Sequence, residues 1–303
     1  MNDKTLHAIR TIEAPIIVPE MDDRIGTNIN GPSLIYAPGW LPNRLGNYYL
    51  YFAHHKGTYI RLAYADEITG PWSIYSPGVL DVKDSLFETE DVQSNAAENQ
   101  TAWSSQFNNK FLYAHVASPH VIADQSSREL RMYYHGLLKN GDQQTRLAVS
   151  TDGLSFKPLD SLLGPPYFRV FEFAPFIYAI SWGGDLWRAV KPQGPFEHGP
   201  RVIPDPPLPN SCHGFRHGEV YLSDNRLVVF YSRIGDCPEH IVYSTVELQA
   251  NWNFWKASEP ITLLKPERTW EGADLTLIPS STGTAENKEN GLRDPCVFTD
   301  IDG

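Results

Sequence analysis

The stretch Arg216–Leu248, RHGEVYLSDNRLVVFYSRIGDCPEHIVYSTVEL, decides the fold. It reads as three strands. Gly218–Leu222 is short and apolar-rich. Ser223-Asp224-Asn225 is turn chemistry, because Asn and Asp tolerate left-handed backbone and bond their own main chain. Arg226–Ser232 is dense in β-branched and aromatic residues, as strands are. Gly235-Asp236-Cys237-Pro238 breaks the chain again, and His240–Val246 forms the third strand. An antiparallel meander of this kind is the unit of a propeller blade.

The unit recurs. Tyr49-Leu50-Tyr51-Phe52, Arg131-Met132-Tyr133-Tyr134, Ile177-Tyr178-Ala179-Ile180 and Val228-Val229-Phe230-Tyr231 hold the same second-strand place. Intervals of 82, 46 and 51 residues separate Tyr51, Tyr133, Ala179 and Phe230. Such spacings suit four-stranded blades, the first enlarged by an insertion; a β-sandwich is the competing architecture. The insertion is residues 81–112, acidic and amide-rich, expected as a loop on the pocket face. Residues 1–27 read as a leader with an edge strand at Ala14–Val18. Trp252–Lys256 reads as the outer strand of the fourth unit. A fifth unit opens at Leu292–Phe298 and reaches the turn Asp300-Ile301-Asp302-Gly303 with no returning strand. The expectation is therefore an all-β, five-bladed β-propeller over residues 1–303, its last blade (292–303) truncated. Its unpaired edge would invite self-association.

Composition narrows the function. The net charge is −11, which argues against a nucleic-acid ligand, whose binders usually carry a basic face. No apolar run approaches 18 residues, so no membrane partner is expected. No apolar leader region marks a secretory signal. Cys212, Cys237 and Cys296 match no metal spacing and read as free thiols of a reducing, cytoplasmic compartment.

Three motifs carry a family resemblance: Asn30-Gly31-Pro32-Ser33 before GNYYLYF, Ser118-Pro119-His120 before RMYYHG, and Arg293-Asp294-Pro295 before VFTDIDG. Together they resemble the five-bladed propeller glycosidases, which include arabinanases, β-xylosidases, levansucrases and invertases. The resemblance implies a carbohydrate-active protein with an axial pocket. It also implies an Asp in the first blade as base or nucleophile, a second Asp in the second blade, and a Glu acid from a later blade. This chain departs from that pattern. Gly31, beside Asn30, stands at the first position, and His120 at the second.

In a propeller the start of each inner strand and the end of each second strand share one face. That rule gathers a substrate-binding set: Asn28, Asn30, His54, His55, His115, Ser118, His120, His135, Tyr167, Arg169, Arg216, His217, Arg233 and Arg293. Proton chemistry would fall to two of Asp294, Glu271, Asp236 and Glu239, since glycoside hydrolysis uses a carboxyl pair. Asp294 alone keeps an Asp-Pro at an inner-strand start; the plain alternative is a turn-initiating Asp. Trp40, Trp182 and Trp270 would stack on sugar faces. Three readings stand: a glycosidase-like hydrolase on a small saccharide, anionic sugars included; a non-catalytic carbohydrate-binding propeller; and a metal site of His54, His55, His115, His120 or His135. The first two need no cofactor.

Overall fold

The computed structural model describes residues 5–93, 112–204, 214–283, 285 and 288–300. Residues 94–111 of the insertion, Cys212, His213 and the turn residues 301–303 lie outside them. Among the described residues the chain forms four blades, each an antiparallel meander. The first comprises β1 (Ile29–Tyr36), β2 (Tyr48–His54), β3 (Tyr59–Ala65) and β4 (Ser73–Ile74), with β5 (Leu80–Asp81) also on β3. The second is β6 (Val116–Asp124), β7 (Glu129–Leu137), β8 (Gln143–Ser150) and β9 (Lys157–Pro158). The third is β10 (Arg169–Phe173), β11 (Phe176–Ile180), β12 (Asp185–Ala189) and β13 (Glu197–Arg201). The fourth is β14 (Phe215–Ser223), β15 (Arg226–Arg233), β16 (Ile241–Glu247) and β17 (Ile261–Leu264).

Buried clusters lie between successive blades. Tyr49, Tyr51, Met132 and Tyr134 join the first to the second. Tyr133, Leu147, Phe168 and Val170 join the second to the third. Tyr178, Leu186, Tyr231, Trp252 and Trp255 join the third to the fourth. This last cluster corrects one strand. Trp252–Lys256 is not an outer strand; Trp252–Phe254 is a single 3₁₀ turn and β17 follows it. The aromatic run mimics a strand pattern, but its two indoles are recruited to the interblade core, where Trp252 lies against Gly199.

The fifth blade is corrected as well, since four blades form rather than five with a truncated last. Residues 292–300 form no strand among the described residues, and Pro295 has no N–H to give a ladder. They run extended between the fourth and first blades. Val297 packs with Val228, Phe230 and Tyr243, whereas Phe298 packs with Tyr48. Successive side chains thus face opposite blades, the period-two alternation of extended chain. The Tyr48 hydroxyl donates to Asp300 Oδ1 at 2.8 Å. The leader spans the same gap from outside without an edge strand at 14–18. Leu6 N donates to the Tyr243 hydroxyl, Arg10 grips Glu271, and Ile16 and Ile17 pack on the first blade.

Candidate functional site

Two rings of residues cross the axis. The upper ring takes one residue from three inner strands, one just before the inner strand of the third blade and one from the C-terminal run: Gly31, Ser118, His217, Tyr167 and Asp294. Bulges in β1, β6 and β14 interrupt the ladder at Asn30/Ser33, Ala117/His120 and Phe215/Gly218, and bulges re-aim side chains. Four of the five residues have left-handed backbone: Gly31 at φ 59°, Ser118 at 48°, Tyr167 at 67° and Asp294 at 53°. For residues other than glycine this costs about 1–2 kcal/mol each.

The ring closes contact by contact. A Cβ on Gly31 would lie 3.0 Å from Ser118 Cα. The Ser118 side chain faces that of Tyr167. The Tyr167 ring centroid is 4.5 Å from that of His217. His217 Nδ1 contacts Asp294 Oδ1, and Gly31 N–H donates to Asp294 Oδ2 at 3.4 Å. A side chain at the first-blade position would press on the Ser118 backbone, and the carboxylate beside that position comes from the C-terminal run instead. Gly31→Ala is expected to cost about 2–3 kcal/mol, from left-handed backbone and a crowded Cβ. A thermal melt unchanged from the parent protein would contradict it.

The lower ring lies two residues further along each strand: Ser33, His120, Arg169, Glu219 and Cys296. Val121 N donates to Ser33 Oγ at 2.8 Å. His120 Nε2 lies 3.1 Å from Val170 O, and its Nδ1 3.6 Å from Glu219. Arg169 Nε is 3.4 Å from Glu219 Oε2 and donates to Gly218 O at 3.0 Å. Leu34 N donates to Cys296 Sγ at 3.3 Å. Burial opposes charge on Glu219, but His120 and Arg169 outweigh it and hold the carboxyl below its usual range. Burial, with Glu219 nearby, pushes the Cys296 thiol up to about 12. His120 and Arg169 thus sit beneath the site as an interblade clamp. Glu219 escaped the sequence reading, because GEVYL looks like an ordinary strand; the two-residue offset from the axial residue is the signal that finds it.

Above the upper ring a cleft of about 660 Å³ opens between the first blade and residues 270–294, bordered by Asn28, Asn30, Arg216, Arg293 and Asp294. Trp270, about two-fifths exposed, forms part of its wall. A pocket of about 40 Å³ adjoins it, sharing His55, Arg216 and His217 with the cleft and adding His54, His115, His135, Tyr167 and Trp182. Rings line up through this pocket: Tyr113 to His115 at 4.8 Å, His115 to His135 at 5.6 Å, His135 to Tyr167 at 4.5 Å. Tyr113 follows the insertion, whose described ends meet where Val92 N donates to Leu112 O. His55 Nδ1 lies 2.6 Å from Asn30 Nδ2 and 3.0 Å from Asn28 Oδ1.

Burial brings the His55 pKa down to about 4, and also lowers those of His54, His115 and His135. Burial works against an ionised Asp294. His217, His55 and the Gly31 N–H prevail and hold it well below the usual carboxylate range.

The other three carboxylates are paired. Glu239, 1% exposed, takes Arg216 Nε and Arg293 Nε at 2.7 Å each and the Ser232 hydroxyl at 2.7 Å. Glu271 borders the cleft, but Arg10 grips both its oxygens, at 2.6 and 2.8 Å, and that bond leads in lowering its pKa. Asp236 pairs with Arg233 at 3.0 Å in the β15–β16 turn, and neither borders the cleft or the pocket. Trp40 packs between the first two blades and donates to Gln125. Among the described residues, no group of three His, Cys, Asp or Glu side chains is placed to hold a metal ion, and no helix is long and apolar enough to cross a membrane.

No protein-family model matches the chain. It is 33% identical over 292 residues to Uncharacterized protein R118 of Acanthamoeba polyphaga mimivirus, covering 90% of this chain and 78% of that protein. Among solved structures it resembles CoXyl43, a family-43 β-xylosidase/α-arabinofuranosidase from a compost microbial metagenome in complex with xylotriose. The TM-score is 0.54 at 14% identity, over 83% of this chain and 81% of that one. It also resembles the GH43_1 enzyme of Xanthomonas citri complexed with xylotriose, with TM-score 0.54, 14% identity, and 82% and 76% of the two chains covered. At this identity the likeness is one of fold, and it bears out the β-propeller expected from the three motifs, with four blades among the described residues rather than five.

Proposed function

The chain belongs to the family of that mimivirus protein, and from its axial site we propose that it is a carbohydrate-active protein. In this reading it is a glycosidase-like hydrolase that takes a small saccharide in the cleft. A volume near 660 Å³ suits a ligand of a few sugar units, since small-molecule sites run to roughly 300–1,000 Å³. Trp270 offers an apolar face to a sugar ring, while Asn28 and Asn30 offer amides to its hydroxyls.

One observation carries the reading. Among the described residues Asp294 is the cleft carboxylate held by a histidine and a backbone N–H rather than by an arginine. An oxocarbenium-like transition state needs negative charge beside the reacting carbon. An ionised Asp294 supplies it, and His217 is the nearest group to share a proton with it. Wild-type protein is expected to cleave aryl glycosides or oligosaccharides such as xylotriose. Asp294→Asn should lower kcat/KM by roughly 10²–10⁴. Hydrolysis by that variant at the parent rate would end the assignment. A uronate-bearing substrate in the same panel tests the anionic-sugar expectation.

A second reading rests on the pairing of Glu239 and Glu271 with arginines. A site with one unpaired carboxylate lacks the usual acid/base pair and suits a sugar-binding propeller without catalysis. Calorimetric binding of xylotriose with no cleavage across the panel would favour it.

A further inference from the structure

Tyr167 is a large aromatic residue with φ at 67°, in backbone that bulky side chains rarely enter. Such outliers persist where the surroundings impose them, and they concentrate at working sites. Its ring touches two imidazoles. The centroids of His135 and His217 each lie 4.5 Å from that of Tyr167, with interplanar angles of 46° and 45°. His217 in turn carries Asp294 on its Nδ1 edge. The side chain of Ser118, itself left-handed, faces that of Tyr167. An extended Tyr167 would point elsewhere, so the unusual backbone is what brings the ring into contact with both imidazoles. Beyond Tyr167, His135 is 1% exposed and its Nδ1 has no hydrogen-bond partner. Ring contact with Tyr167 and His115 is therefore what fixes that end of the stack.

We propose that Tyr167 is a positioning residue: its left-handed backbone holds the phenol ring against both His135 and His217 and so fixes the rotamer and tautomer of the His217–Asp294 pair. This rests on the reading of that pair as the working centre, but its primary test does not need a substrate. The titratable groups facing His217 are Asp294 from the C-terminal run, His55 from the turn after β2, His135 from β7 and Tyr167 itself, with Arg216 preceding it in β14. Removal of the ring changes what His217 meets on one face and leaves the other groups in place.

The experiment is nitrogen-15 NMR of the histidine rings, followed through a pH titration, with a thermal melt of each variant. Tyr167→Asn removes the ring and tolerates left-handed backbone. It is expected to shift the His217 titration by about half a pH unit or more and to mix its tautomers. Tyr167→Phe keeps the ring, and its His217 should titrate like that of the parent protein. A purely structural Tyr167 would lower the melting temperature in the Asn variant and leave the His217 titration where it was; that result overturns the proposal. Tyr167→Gly is the second ring-less variant. If neither it nor the Asn variant folds while the Phe variant does, Tyr167 is a folding residue and the proposal also fails. Xylotriose affinity separates this inference from the functional reading. No binding by the parent protein sinks the sugar assignment while the His217 shift still stands. Parent-like affinity and titration in Tyr167→Asn sink the positioning role alone.

Discussion

Glu239→Ala is expected to destabilise the protein by about 3–5 kcal/mol, the cost of leaving buried charge without its partner. Glu239 is 1% exposed, and each of its carboxylate oxygens faces a guanidinium at 2.7 Å. Deletion of the carboxylate strands two arginines. Among the described residues Arg293 retains Glu289, and Arg216 retains the carbonyls of Ser281 and Gly283 at 2.5 and 3.2 Å. Two like charges would then face each other across the space that the carboxylate leaves. Glu239→Gln keeps the shape and an acceptor for the Ser232 hydroxyl, so its loss should be smaller. Urea denaturation of both variants measures the difference. A Glu239→Ala protein within about 1 kcal/mol of the parent would show that water or a side-chain shift relieves the arginines, contrary to this reading. The pair also has a geometric consequence. Arg216 belongs to β14, Arg293 to the C-terminal run, and the carbonyls to residues 281–283 of the cleft wall. Loss of Glu239 should therefore weaken ligand affinity as well as stability.

Glu239 shows how far the sequence could be read. Its place beside the axis followed from strand order alone, because the β15–β16 turn returns to the face where β14 begins. Its partners did not, because Arg216, Arg293 and Glu239 come from three separate segments. A carboxylate near a pocket reads as a catalytic candidate until the guanidiniums appear. Glu271 repeats the lesson: its arginine is Arg10, 261 residues away. Asp294 was legible for a different reason. Asp-Pro at an inner-strand start is a local signal, and the X-Pro pattern recurs in Gly31-Pro32 and Ser118-Pro119.

The blades were legible because period-two alternation and turn residues are local. β15 and β16, Arg226–Arg233 and Ile241–Glu247, fall within a residue of the strands that the pattern marks at Arg226–Ser232 and His240–Val246. Elements set by tertiary competition were not. Trp252 and Trp255 have strand-like neighbours, yet the space between the third and fourth blades takes both indoles. Leu292–Phe298 has the apolar content of a strand, and it lies extended beside β1. It joins its neighbours chiefly through side chains, with one parallel bridge at Gly291–Glu239.

The pocket histidines predict a marked acid sensitivity. His55, His115 and His135 are all held neutral in the folded protein, His55 with a pKa of about 4. In the unfolded chain each takes up a proton near pH 6.5. Below that pH the unfolded state binds more protons than the native state, so stability falls as pH falls. For a histidine with a depressed folded value, the contribution is whole above about pH 6.5 and is lost on the way down to the folded pKa. Asp294 acts elsewhere: its pKa is also depressed, but a carboxylate contribution is lost only below the unfolded value of about 3.9. The interval from pH 6.5 to 4 therefore belongs to the histidines. His55 is half-buried, so its share between pH 7.5 and pH 5 is discounted for solvent screening to about 1–2 kcal/mol. His115 and His135, more deeply buried, act in the same direction. The melting temperature should fall steadily from pH 7.5 to pH 5, by several degrees at about 2–4 °C per kcal/mol. His135→Gln, which cannot take up the proton, should flatten the slope while costing some stability at pH 7.5. A melting temperature constant across that interval would mean that the three imidazoles are already charged in the native protein, or reach water as freely as in the unfolded chain.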